Sequence, residues 1–107
     1  MKPAPSAPAE VVSVGADRLA VRGALTFATA RLASAAGLRA IGASAARRLE
    51  VDCAAVTGAD SAGLAVCLLW LSTARRGGRD LRFVNLPAHI RSLARISEVD
   101  SLLEPTS

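Results

Sequence analysis

Hydrophobic and polar residues alternate near the start of the chain in a way that is typical of strands. The segment VVSVGADRLAVRG, residues 11–23, predicts two strands joined by a tight turn at Gly15–Asp17. The segment before it, MKPAPSAPAE, contains three prolines and lacks the continuous apolar run of a secretion signal. We therefore expect a disordered Pro/Ala-rich tail over residues 1–10 and one domain over residues 11–104.

Two later segments show the same alternation. In RRLEVDC, residues 47–53, apolar and charged side chains alternate, with Leu49, Val51 and Cys53 on one side and Arg48, Glu50 and Asp52 on the other. DLRFVNLP, residues 80–87, repeats the pattern with Leu81 and Phe83. Strands that are covered on both faces are continuously apolar, so this alternation predicts a small sheet with helices mainly on one face.

The segment between the hairpin and the third strand is rich in helix-forming residues. It predicts a helix over Thr26–Ile41, although Gly37 weakens the middle of that helix. The side of the helix that faces the core would consist of Phe27, Ala30, Leu38 and Ile41.

A second helix is predicted over Ser61–Arg76, where two terminal arginines match the helix dipole and a pair of glycines ends the helix. A strand, a helix and another strand within this length predict a parallel crossover. AHIRSLARIS, residues 88–97, predicts a third helix after Pro87, and EVDSLLE, residues 98–104, predicts a short turn or helix. The resulting fold class is α/β.

The second helix carries two apolar stripes, and a helix that lies on one sheet face can bury only one of them fully. One stripe consists of Ala62, Val66, Leu69 and Trp70, and the other of Leu64, Cys67, Leu68 and Leu71. Either neighbouring helices cover the second stripe, or it serves a protein partner with Trp70 as an aromatic anchor. Trp70 is therefore a candidate partner-binding residue.

Composition and charge limit the classes of function that the chain can have. The chain has 107 residues, of which 51% are hydrophobic and only 3% aromatic, so small aliphatic side chains must build its core. The net charge of +4 could indicate an anionic partner, but the arginines are spread along the chain. Base-stacking aromatic residues are nearly absent, so we expect no nucleic-acid partner for the candidate arginines Arg75, Arg76, Arg79 and Arg82.

The cysteines and the longest apolar run indicate the compartment. Cys53 and Cys67 lie within apolar segments, where a free thiol behaves as a small hydrophobic group, and this favours a reducing cytosol. The most apolar stretch, Ala62–Leu71, is well short of the about 20 residues that span a bilayer. We therefore expect a cytoplasmic protein with no direct membrane insertion.

The segment VTGADSAGLAVCLLW, residues 56–70, is the strongest candidate site. Gly58 and Gly63 have the spacing of phosphate-loop glycines, but Leu64 and Ala65 occupy the positions of the required Lys and of the Ser or Thr. The sequence therefore excludes a nucleotide-binding loop, and we expect no cofactor and no metal.

Ser61 allows two further interpretations. A serine-hydrolase elbow needs a glycine two residues before the nucleophile, but Ala59 stands there, and the single histidine, His89, would have to be the base. We therefore expect that the protein is not an enzyme. More simply, Asp60 or Ser61 caps the second helix by accepting a hydrogen bond from a first-turn amide, which stabilises the helix by about 1 kcal/mol.

These elements and motifs resemble the STAS domain, the fold of the anti-sigma-factor antagonists. The resemblance covers residues 11–103 and is most specific in Asp60–Gly63 after a strand, followed by LRFVNLP and LARISEVDSLL. It implies a STAS fold with a small mixed sheet and helices mainly on one face. In that family the Asp-Ser/Thr-x-Gly element opens the second helix, and its hydroxyl residue is the regulatory phosphorylation position or lies in the partner contact. The resemblance gives this role to Ser61.

Within the family, the NLP turn and LARISEVDSLL are most similar to MlaB-like subunits, small cytoplasmic STAS proteins bound to the ATPase of the Mla phospholipid-transport ABC complex in Gram-negative bacteria. The implied function is non-enzymatic support of that transporter, which maintains outer-membrane lipid asymmetry, at the inner-membrane face. Ser61 stands where the transporter subunits commonly carry Thr, and serine is usual in the phosphorylated antagonists. An anti-sigma factor antagonist with a kinase partner is therefore the alternative. The expected partner-binding residues are Asp60, Ser61, Ala62, Gly63, Val66 and Trp70.

Overall fold

The computed structural model describes residues 9–103. The expected tail lies mostly outside the described residues, as does position 104, the expected end of the domain. Within residues 9–103, four strands and four helices follow one another: β1 (Glu10–Gly15), β2 (Arg18–Leu25), α1 (Ala30–Ala43), β3 (Arg48–Ala59), α2 (Ser61–Arg76), β4 (Asp80–Val84), α3 (Ala88–Ile96) and α4 (Asp100–Leu103).

The strands form one mixed sheet in the order β1-β2-β3-β4. β1 and β2 are antiparallel, as the hairpin pattern predicts, whereas β2 pairs with β3 and β3 with β4 in parallel. β3 is longer than the alternation indicates, because it runs to Ala59 and not to Cys53. The extra residues pair with β2 up to Leu25, while pairing with β4 ends at Asp52. The sheet thus extends to the start of α2.

The burial of the strands confirms that the helices lie mainly on one face of the sheet. In β3, Leu49, Val51 and Cys53 are buried, while Glu50 and Asp52 between them are only partly covered. On the open face, the guanidinium of Arg18 forms an ion pair with Glu50. The core beneath the helices consists chiefly of aliphatic side chains, including Leu19, Val21, Leu25, Ile41, Leu64, Leu71, Leu81 and Ile90.

Trp70 belongs to the contact between α1 and α2. Its side chain is only 1% exposed, and its Nε1 donates a hydrogen bond to the carbonyl oxygen of Ser34 at 3.2 Å. A Cβ added at Gly37 would lie 2.1 Å from Cε2 of the Trp70 ring. The glycine that weakens α1 in the sequence is therefore the residue that makes room for the largest side chain of the core.

Neighbouring elements cover most of both apolar stripes of α2. Cys67 and Leu71 of one stripe are buried, and Trp70 of the other is covered by α1. The expectation that Trp70 anchors a partner is therefore wrong, because its ring is a core side chain with no exposed surface to offer. Leu69 alone among the large members of its stripe stays 42% exposed.

The first helix begins later than predicted, at Ala30 and not at Thr26. Thr29 causes this delay, since its hydroxyl donates to the carbonyl of Ala24 and accepts from the amide of Thr26. These bonds hold residues 26–29 in a turn that precedes the helix. Phe27, expected on the core side of α1, is instead 86% exposed.

The remaining helices follow the sequence pattern closely. α3 buries Ile90 and Ala94 along its apolar stripe, and α4 supplies the short final helix with Leu103 in the core.

Arg79, in the turn after α2, donates hydrogen bonds to the carbonyl oxygens of Ile41 and Ala46. This arginine therefore holds the end of α1 and is not a free surface cation.

Candidate functional site

The candidate site lies where β3 ends and α2 begins. Asp60 has an extended backbone, and its Oδ1 accepts hydrogen bonds from the amides of Ala62 at 2.9 Å and Gly63 at 3.3 Å. These amides are two of the groups that a helix leaves unpaired in its first turn. Asp60 is therefore the cap of α2, and Ser61 is not.

The second carboxylate oxygen of Asp60 binds a different part of the chain. Oδ2 accepts a hydrogen bond from the amide of Phe27 at 2.9 Å. The hydrogen bond from Phe27, followed by those from Ala62 and Gly63, lowers the pKa of Asp60, because each amide favours the charged carboxylate. One side chain thus joins the start of α2 to the turn before α1.

Gly63 is required by the packing of α2 on β2. A Cβ at this position would lie 2.4 Å from the carbonyl oxygen of Leu25, the last residue of β2. A backbone atom cannot give way as a flexible side chain can, so only glycine allows this close approach. The aspartate and the glycine of the Asp-Ser-x-Gly element therefore have structural roles.

Ser61 is the member of this element whose side chain the fold does not use. Its side chain is exposed, and within residues 9–103 its hydroxyl makes no hydrogen bond with another protein group. His89 is also exposed, and in the same part of the chain no hydrogen bond joins it to Ser61. The hydroxyl is therefore available to a partner or a modifying enzyme.

Phe27 is a surface residue of this site that the sequence pattern missed. Its amide is held by Asp60, and the turn around it is closed by Thr29, whose own amide and that of Ala30 donate to the carbonyl of Thr26. The aromatic ring therefore projects from a turn with a fixed backbone. A long-range hydrogen bond causes this placement, and the helical composition of the segment hides it.

A shallow groove of about 680 Å³ lies between the start of α1 and α2. Small and aliphatic side chains form most of its lining, together with one arginine: Phe27, Ala30, Arg31, Ala62, Val66 and Leu69. Val66 is itself buried and forms part of the floor. The groove is open to solvent and continuous with the start of α2.

The structure brings together five of the six residues predicted to contact a partner, namely Asp60, Ser61, Ala62, Gly63 and Val66. Within the described range 9–103, no group of three or more His, Cys, Asp or Glu residues could hold a metal ion. No helix in that range is both long enough and apolar enough to cross a bilayer.

Comparisons with known proteins identify the fold. A family model described as "Mlab, STAS domain" matches residues 10–104. No curated protein sequence matches the chain. The anti-sigma factor antagonist SpoIIAA in its unphosphorylated form has a TM-score of 0.68 at 15% identity, covering 92% of this chain and 88% of that one. The Bacillus cell fate determinant SpoIIAA in the phosphorylated form has a TM-score of 0.66 at 15% identity, with coverage of 92% and 91%. At this identity the likeness shows a shared fold alone.

Proposed function

Because the chain belongs to the MlaB-type STAS domain family, we propose that it is a non-enzymatic accessory subunit that binds the cytoplasmic ATPase of an ABC phospholipid transporter of the Mla type. Through this partner it would be held at the inner-membrane face. Its role there is to support the assembly and activity of a transporter that maintains outer-membrane lipid asymmetry.

The observation that carries this proposal is the exposed Ser61 at the start of α2, beside an apolar groove. Asp60 and Gly63 hold the backbone around it, so the surface is already formed before a partner arrives. A preformed surface loses little conformational freedom on binding, which favours a stable protein complex.

The alternative function is that of an anti-sigma factor antagonist, regulated by a kinase that phosphorylates Ser61. The specific observation in its favour is that the Ser61 hydroxyl is exposed, where a kinase can reach it. A phosphate in the first turn of α2 would also be stabilised by the helix dipole. Both functions use the same surface, so a binding experiment must separate them.

The deciding experiment measures binding of the purified full chain to the transporter ATPase by calorimetry, first with the unmodified chain and then with Ser61→Glu. A negative charge at the start of α2 is compatible with the helix dipole, so the variant should stay folded. At a closed interface the same charge loses its hydration without a designed partner, which can cost several kcal/mol. We expect affinity to fall at least tenfold, about 1.4 kcal/mol.

Ser101→Glu is the matched control. Ser101 is also exposed in the first turn of a helix. However, α4 lies beside the other end of α2, since Leu102 lines one shallow groove together with Arg75 and Arg76. We expect this variant to bind like the unmodified chain. Failure of the unmodified chain to bind the ATPase, together with tight binding to an anti-sigma kinase, would replace the transporter function with the alternative.

A further inference from the structure

Charge is distributed unevenly between the helices and the rest of the domain. α1, α2 and α3 together carry six arginines and no acidic residue, and all six are exposed: Arg31, Arg39, Arg75, Arg76, Arg91 and Arg95. Among residues 9–103, none of those that line the groove is acidic, and the carboxylate of Asp60, which holds the turn of Phe27, already accepts hydrogen bonds from three backbone amides. The exposed faces of α1, α2 and α3 are therefore positive, whereas the exposed acidic residues Glu98 and Asp100 lie in the turn before α4 and at its start.

Large apolar side chains are exposed on this same side. Phe27 is 86% exposed and Leu69 42% exposed, and the groove of about 680 Å³ runs between them. Aromatic residues that are exposed on a rigid backbone are favoured anchors in protein interfaces, because they bury a large area at little cost in conformational entropy. The backbone of Phe27 meets this condition, since Asp60 and Thr29 hold its turn.

The form of the groove favours one kind of occupant. Its walls are side chains of α1, of α2 and of the turn before α1, and none of its lining residues belongs to a strand. A bound segment would therefore be recognised through side chains and not through main-chain pairing. An amphipathic helix presents apolar side chains at spacings of three and four residues, which suits a groove of this kind. Arg31 in the groove wall would favour a bound segment that carries a negative charge beside those apolar residues.

We propose that the groove between α1 and α2 receives an acidic amphipathic helix of the partner protein, with Phe27 as the principal anchor and Arg31 as its ion-pairing neighbour. This inference rests on the proposed function, in that the surface is a protein-binding one. It adds the chemistry of the bound segment, and it moves the aromatic anchor from Trp70 to Phe27.

The first experiment replaces Phe27 in the full chain with the photo-reactive residue benzoylphenylalanine and irradiates the producing cells. The matched control carries the same residue at Leu32, which is 67% exposed on α1 but does not line the groove. Mass spectrometry then identifies the cross-linked segment. We expect the yield of cross-linking to be well above that of the control when the photo-reactive residue is at position 27. The cross-linked segment should be a helix with apolar residues three or four apart and with flanking Asp or Glu.

The identity of the cross-linked protein and the chemistry of the cross-linked segment answer different questions. An acidic amphipathic helix in a protein other than an ABC ATPase supports this inference and contradicts the proposed transporter function. A basic or neutral segment of the ATPase contradicts this inference and supports the proposed transporter function. Cross-linking to lipid or to a second copy of the chain, or no excess over the control, would overturn the inference.

The second experiment measures affinity for the identified partner. We expect Phe27→Ala to weaken binding at least tenfold and Leu32→Ala less than twofold. Arg31→Glu should also weaken binding tenfold or more, whereas Arg48→Glu, an exposed arginine of the sheet, should not. Raising salt from about 0.1 M to about 1 M shortens the Debye length from about 10 Å to about 3 Å, and it should reduce the affinity. Equal effects of the Phe27 and Leu32 variants would show that Phe27 is not the anchor.

Discussion

Replacing Gly37 with alanine tests the central packing contact of the domain. In an exposed helix interior, a change from glycine to alanine stabilises a protein by about 1 kcal/mol. At Gly37 the new methyl group would lie 2.1 to 2.3 Å from three atoms of the Trp70 ring, Cε2, Cζ2 and Nε1. The ring is buried and cannot swing away into solvent, so the overlap must be relieved by moving α1 away from α2.

The expected net effect is a loss of stability. Inserting a methylene into a well-packed core typically costs about 1–3 kcal/mol. The hydrogen bond from Trp70 to Ser34 is also at risk, and a buried donor left without a partner costs about 1–3 kcal/mol. After subtraction of the gain in helix propensity, we expect Gly37→Ala to lower the free energy of unfolding by about 2 kcal/mol or more. For a domain of this size that corresponds to a fall in Tm on the order of 10 °C.

Gly42→Ala is the matched control, because Gly42 lies on the same helix and a Cβ there would meet no atom within 4 Å. We expect this change to raise the free energy of unfolding by about 0.5–1 kcal/mol. Urea unfolding followed by the fluorescence of Trp70, the single tryptophan, and by far-UV circular dichroism measures both variants. If Gly37→Ala were as stabilising as Gly42→Ala, the close contact between α1 and Trp70 would not exist in solution.

Three further outcomes are expected. Gly63→Ala should destabilise the domain by more than about 1 kcal/mol in urea unfolding, because its methyl group would overlap the carbonyl oxygen of Leu25; unchanged stability would contradict that contact. Because the pKa of Asp60 is lowered in the folded state, its charged carboxylate stabilises the fold at pH values above the ordinary carboxyl pKa, and this stabilisation is lost as pH falls through the folded-state pKa. The difference in stability between the wild type and Asp60→Asn should therefore shrink between neutral pH and about pH 3. Burial raises the pKa of Cys53 to about 12 and also raises that of Cys67, so both thiols should resist a thiol-specific reagent until urea unfolds the chain, and rapid labelling of the folded protein would refute this.

Local patterns predicted the parts of the fold that local interactions determine. The alternation in β3 and β4, and the apolar stripe and terminal glycines of α2, depend on neighbouring residues, and the structure confirms these elements. The turn that delays the start of α1 is held by Thr29 and also by Asp60, which is distant in sequence, and the pattern placed this start wrongly. Gly37 looked like a weakness of α1 because its partner, Trp70, lies on another helix. Helix propensity carries no information about such a contact.

The sequence revealed the motif of the candidate site, but it did not reveal the exposed surface beside that motif. Asp60 binds three amides, and Gly63 lies against the carbonyl oxygen of Leu25. Both residues therefore have structural roles, and because they are close in sequence they form a short motif that can be recognised. Ser61 is exposed between them, and Phe27 is placed beside it by the same aspartate. One carboxylate holds both the start of α2 and the turn of Phe27. A partner or a phosphate that displaces Asp60 from one of these two places would therefore also disturb the other place. The two halves of the surface should therefore respond together, and loss of the Asp60 carboxylate should weaken partner binding even though this carboxylate need not touch the partner.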